Sequence, residues 1–208
     1  MSKKKAEENI NSNKIKIILL GESGVGKTCL INAFLEKKFS NQLMSNSFTP
    51  TYKELKIDNI NYEIQLWDTA GQEKYRSISK IFFKDSHIII FVYEILSPKS
   101  FSELAFWTDY VKEYSPEIVV LGVAANKTDL LTQVHKSEDL VSKEEGEKYA
   151  KDIGALFCET SAKEDPDGFE EFIKQLVKKY LSIGNKINND EKRVTLSNYK
   201  KKKKKGCC

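Results

Sequence analysis

The chain has 208 residues, 40% of them hydrophobic and 31% charged, a length and composition that suit one compact domain with short tails. The formal charge of +4 is a property of six lysines at 200–205, without which the remainder stands at −2. Four scattered cysteines exclude a disulfide framework or a zinc finger, and no apolar run is long enough to span a bilayer.

In chain order, residues 1–13 lack periodicity and read as a flexible arm. They show no charged-then-apolar secretory pattern, which with the scattered cysteines makes a cytosolic compartment the expectation, and Ser2 stands where N-myristoylation requires glycine. From Lys14 short apolar runs alternate with helical stretches, which predicts an α/β fold. "KIKIILLG" reads as a strand and "KTCLINAFLEKKF" as a helix; "KELKI" and "NYEIQLW" pair as a hairpin about "DNIN". "HIIIFVYE" and "IVVLGVAANK" suit strands buried on both faces. Between them a helix starts at the cap Ser97 with Pro98 in its first turn. Ser142 and Glu145 form a capping box for a helix ended by Gly154. Phe169, Phe172, Ile173, Leu176, Val177, Tyr180 and Leu181 make one face of the last helix. Cys29 and Cys158 lie in apolar segments as structural thiols.

Four strings carry chemistry. "GESGVGKT" at 21–28 lies between a strand and a helix, as a phosphate cradle requires. Its loop N–H groups and the helix start face negative charge; Lys27 reaches the terminal phosphate oxygens, and the Thr28 hydroxyl suits Mg2+. "WDTAGQE" at 67–73 follows a strand. There Asp68 suits Mg2+ through water, Gly71 offers an N–H to the last phosphate, and Gln72 is bifunctional enough to orient a water. "NKTD" at 126–129 reads the base: the Asp129 carboxylate accepts the two N–H donors on guanine's edge, while Asn126 and the stem of Lys127 hold and cover it. "ETSAK" at 159–163 places the Ala162 N–H for the guanine oxygen.

These strings, in this order, resemble the small GTPases of the Ras superfamily, most of all the Rab branch, over about residues 14–183. The Rab preference rests on Ser23 within the loop, Trp67 before Asp68, "YRSI" after "GQEK", and the final cysteine pair. The resemblance implies a P-loop NTPase G domain, with a mostly parallel six-stranded sheet, one antiparallel edge strand and helices on both faces. It also implies GTP or GDP held with Mg2+. It assigns Ser23, Gly24, Val25, Gly26, Lys27, Thr28, Cys29, Phe39, Thr51, Gly71, Asn126, Lys127, Asp129, Ser161, Ala162 and Lys163 to the nucleotide. The metal falls to Thr28, Thr51 and Asp68, and catalysis to Gln72, Lys27 and Thr51. An exchange factor, an activating protein, effectors, a GDP-dissociation inhibitor and a prenyl-transferase with its escort are the implied partners, with no nucleic acid.

Departures from the Rab pattern are also expected. The stretch from Phe39 to Thr51 reads as longer than usual, and Thr51 sits in a Pro-Thr context nearer Ras and Rho. Lys56 is read at the place of the phenylalanine that joins Trp67 and Phe83 in a Rab effector patch, leaving that patch incomplete. The extra loop "TQVHKSEDL" carries His135 as a solvated side chain. No arginine lies between Phe39 and Tyr52, so unaided hydrolysis is expected to be slow.

Residues 184–208 read as a disordered, hypervariable polybasic tail ending in Cys207 and Cys208, similar to the doubly prenylated end of Rabs. The expected location is the cytoplasmic face of endomembranes, with a cytosolic pool, in vesicle traffic. Alternatives are a membrane-tethered GTP-binding scaffold with little hydrolysis, or a Ras/Rho-like signalling GTPase.

Overall fold

The apolar runs form the middle of a single sheet. In the computed structural model, which describes residues 13–36, 50–69, 82–116, 119–133 and 140–184, the strands are Lys14–Leu20 (β1), Thr51–Ile57 (β2), Ile60–Asp68 (β3), Ile88–Glu94 (β4), Val120–Asn126 (β5) and Leu156–Glu159 (β6). Their order is β2-β3-β1-β4-β5-β6. Only β2 runs antiparallel to its neighbour, so five strands present their carboxyl ends along one edge.

Helices cover both faces, which is why the central strands are apolar along their length: six of the seven residues of β4 are buried. On one face lie Lys27–Phe34 (α1) and the helix 166–184 (α5). Leu30, Ile31 and Phe34 join Phe169, Phe172, Ile173, Leu176, Val177 and Tyr180 in one cluster there, with Leu181 partly buried beside it. On the other face Leu104, Trp107 and Val111 of Leu104–Tyr114 (α3) and Ala150 of Lys143–Asp152 (α4) pack against Ile18, Leu20, Ile89 and Phe91. Among the described residues no helix is long and apolar enough to cross a membrane.

The local signals hold. Asp58 and Asn59 both take positive φ, 48° and 66°, the geometry that reverses a two-residue hairpin. Ser142 and Glu145 cap each other's backbone groups at the start of α4, and Gly154, at φ 74°, follows its end. The helix expected from Ser97 comes in two pieces, Pro98–Ser102 (α2) and α3, meeting at Glu103. Hydroxyls of Ser100 and Ser102 donate to the carbonyls of Ser97 and Lys99, three residues back, and so compete with the helical ladder. Cys29 and Cys158 are free thiols, partly buried and packed against the cluster around α1 and α5, in keeping with a structural role.

Candidate nucleotide site

The loop after β1 must turn tightly against β4, and glycine makes that possible. A Cβ on Gly21 would collide with the Val92 carbonyl. Gly26, at φ 97°, is the residue before α1, and a Cβ there would strike the Asn126 amide. No side chain caps α1, whose first residue is Lys27, so its N-terminus presents backbone N–H groups. Lys27 is only 3% exposed, and its ammonium donates to the carbonyls of Gly21 and Glu22, 2.9 Å each.

Next to it, Thr28 Oγ1 donates to Asp68 Oδ2 at 2.5 Å. Asp68 is the last residue of β3, in register with Leu19, and the following Thr69 is tied to the Leu19 carbonyl at 2.7 Å. A hydroxyl and a carboxylate meeting at a phosphate loop are hard oxygen donors that fit Mg2+. Among the described residues no group of three or more His, Cys, Asp or Glu side chains could hold a metal by itself. Burial first, then Asp68, raises the pKa of the neighbouring Cys29 thiol against the pull of Lys127, so it stays protonated.

The base end is assembled from β5 and β6. Asn126, 1% exposed, donates from Nδ2 to the Val25 carbonyl at 2.8 Å and accepts the Ala162 N–H at 3.3 Å. Asp129 accepts from Ser161 Oγ at 2.6 Å through Oδ1. The Ser161 hydroxyl also accepts the N–H groups of Lys163 and Glu164, holding that turn. Lys163 Nζ lies 3.9 Å from Asp129 Oδ2. Lys127 has φ 67°, and its ammonium pairs with Glu94 Oε2 at 2.7 Å.

Thus the structure brings Gly24, Val25, Gly26, Lys27, Thr28 and Cys29 together with Asp68, and links them through Asn126 to Lys127, Asp129, Ser161, Ala162 and Lys163. Ser23 lies in the same loop with its N–H on Glu22 Oε1. Thr51 is the first residue of β2 and pairs with Leu66, so it lies diagonally across the hairpin from Asp68, about 7–8 Å away by strand geometry. Phe39, Gly71, Gln72, Cys207 and Cys208, the lengthened stretch before Thr51, and His135 lie outside the described residues. Glu94 belongs to the site but lies in none of the four strings, and Thr69 lies within "WDTAGQE", where the sequence reading gives it no role.

One reading is corrected. Lys56 pairs with Asn61, near the turn and far from Trp67. The residue one step before the Thr51–Leu66 pair, at the level of Trp67, is Pro50, because the hairpin turns early at Asp58. Trp67 meets Phe82 edge-on at 5.5 Å, whereas Phe83 is fully buried against Tyr110. Lys16 Nζ stands 4.5 Å from the Trp67 ring.

Comparison with known proteins agrees with this geometry. The Ras family model matches residues 16–182. Ras-related protein Rab-26 of Rattus norvegicus is 38% identical over 154 residues, covering 71% of this chain and 56% of the relative. Rab-26 of Homo sapiens is 33% identical over 204 residues, covering 93% and 74%. Human Rab-37 is 34% identical over 154 residues, covering 71% and 65%. The chain thus spans little more than half the length of the rat relative. It belongs to the Ras family and is, within it, a Rab-like small GTPase.

Proposed function

We propose that residues 14–183 act as a switch that binds GTP and GDP with Mg2+, hydrolyses the terminal anhydride bond, and recruits effectors to intracellular membranes in vesicle traffic. The observation that carries this is the continuity from Lys27 and the Thr28–Asp68 pair, through the Asn126–Val25 bond, to Asp129. Phosphate chemistry and guanine recognition thereby share one frame.

The Thr28 hydroxyl, and Asp68 through water, would hold Mg2+, which would supply charge neutralisation at the phosphates. Lys27 exchanges its two carbonyl partners for phosphate oxygens. Asp129 keeps Ser161 on one oxygen and turns the other to guanine, joined by the Ala162 N–H. By family resemblance, Gln72 orients the attacking water, the Gly71 N–H meets the last phosphate, and Phe39 lies against the base. Thr51, paired with Leu66, would reach the metal only with that rung opened, which would make the start of β2 part of the switch.

In the remainder, residues 1–13 are an N-terminal arm and 184–208 a tail tethered through prenyl groups on Cys207 and Cys208. Two lipid chains anchor stably where one is marginal, and the six lysines add attraction to an anionic leaflet. An exchange factor, an activating protein, a GDP-dissociation inhibitor and a prenyl-transferase with its escort complete the proposed cycle.

Phosphate release from GTP and ATP by the purified full chain, with and without Mg2+, tests this. Slow Mg2+-dependent release from GTP alone, reduced by Gln72→Leu, is expected. Equal rates with ATP would overturn the guanine reading; release from GTP unaffected by Gln72→Leu would favour a scaffold that scarcely hydrolyses.

A further inference from the structure

We infer that Glu94 is a positioning residue for guanine-nucleotide retention, acting through Lys127; the inference rests on the nucleotide reading above. Glu94 ends β4 and sits in register with Asn126, the residue before Lys127. Its backbone is fixed on both sides: its N–H donates to Ser100 Oγ at 3.0 Å, and the next N–H, of Ile95, donates to the Asn126 carbonyl at 3.0 Å.

From this mount the carboxylate takes the Lys127 ammonium at 2.7 Å, with the two side chains 25% and 32% exposed. The stem of Lys127 runs past the phosphate loop, its Cε 3.9 Å from where a Cβ on Gly26 would stand. Lys127 also starts from φ 67°, a conformation that costs a non-glycine residue energy and that surrounding contacts must hold.

Two consequences follow for the bound nucleotide. With its head tied to Glu94, the methylene stem is a fixed wall along the base instead of a mobile side chain. The ammonium is also kept from swinging to Asp129, whose Oδ2, not bonded to Ser161 and 3.9 Å from Lys163 Nζ, the guanine edge requires. Glu94 lies 33 residues from Lys127 in sequence and carries its carboxylate on that ammonium, so its effect on the nucleotide runs through Lys127.

Release of a fluorescent GDP from the full chain, chased with excess GDP in Mg2+, reads the role in a four-member cycle: wild type, Glu94→Gln, Lys127→Met and both together. Glu94→Gln should speed release roughly tenfold, and should add less than about twofold once Lys127 is methionine. Release from wild type should quicken with salt, while the Glu94→Gln rate should respond less, because the screened pair is gone. An equal acceleration in both backgrounds would make Glu94 merely structural and overturn the inference. So would an unchanged rate in Glu94→Gln. If Glu94→Gln does not fold, Glu94→Asp is read instead in the same cycle, and its effect must likewise vanish beside Lys127→Met. Wild type that fails to bind the GDP at all would refute the nucleotide reading itself, a result distinct from these.

Discussion

The base end and the phosphate end of the site are built differently. At the base end the side-chain partners can be kept, Asn126 on Val25, Ser161 on Asp129 and Lys127 on Glu94, and only the Ala162 N–H, now on Asn126 Oδ1, has to turn to the base. At the phosphate end the partners must be exchanged, since Lys27 is bonded to loop carbonyls and the Thr28 hydroxyl is spent on Asp68. Guanine therefore meets a preorganised surface, which favours selectivity. Phosphate and metal meet a surface that rearranges, which makes the phosphate end the natural place for the protein to sense the nucleotide's state.

The strongest break of the comparison is at Asp129. An amide in its place accepts one N–H and donates another, so Asp129→Asn should weaken GTP binding by about 10⁴-fold and favour xanthine nucleotides, seen by calorimetry. Gly26→Ala strikes the joint between the two ends. A side chain at φ 97° pointing into the Asn126 amide should cost about 1–3 kcal/mol of stability in urea denaturation and loosen both ends at once. Thr28→Ala should leave base selectivity unchanged yet raise the Mg2+ concentration needed to retain nucleotide by about tenfold or more, in a metal titration of nucleotide release. A change in guanine preference there would blur the distinction between the ends. Smaller still, hydrogen exchange at the Thr51 amide should be slower with GDP than with a GTP analogue, reporting the first rung of β2.

His87, at the opposite end of the strands, is the control. Burial, together with the nearby Lys16 ammonium and against Asp85, lowers its pKa to about 4 from an ordinary 6.5. Its Nδ1 accepts the Lys16 N–H at 2.9 Å, its edge meets Tyr180, and its Nε2 is buried without a partner. The unfolded chain binds this proton more readily, so the contribution is full above pH 6.5 and declines as pH falls toward 4, by up to about 3 kcal/mol. His87→Asn should flatten the slope of the urea midpoint between pH 6.5 and 5 without altering nucleotide selectivity.

What could be read in advance follows the same division. The phosphate loop, Asp68 and the Asn126–Asp129 string were legible because each needs particular residue types at fixed local spacing. Strand and cap assignments were legible from apolar runs and from Ser142 with Glu145. Glu94 was not, because its pairing with Lys127 depends on β4 lying beside β5, a property of the sheet and not of either segment. Lys56 was misplaced for a related reason: hairpin register is set by where the chain turns, and the tight turn at Asp58 and Asn59 moves every residue of β2 relative to Trp67.

The sheet's outermost strands have a consequence for the chain in crowded solution. Unpaired backbone at such a margin invites a strand from another molecule. On one side β2 bears Lys53, Glu54 and Lys56, and Lys53 is riveted to the Phe34 carbonyl, Glu36 and Glu170. On the other side β6 is only four residues long. Charge protects one border and brevity the other, so fibril-like stacking is discouraged from either direction.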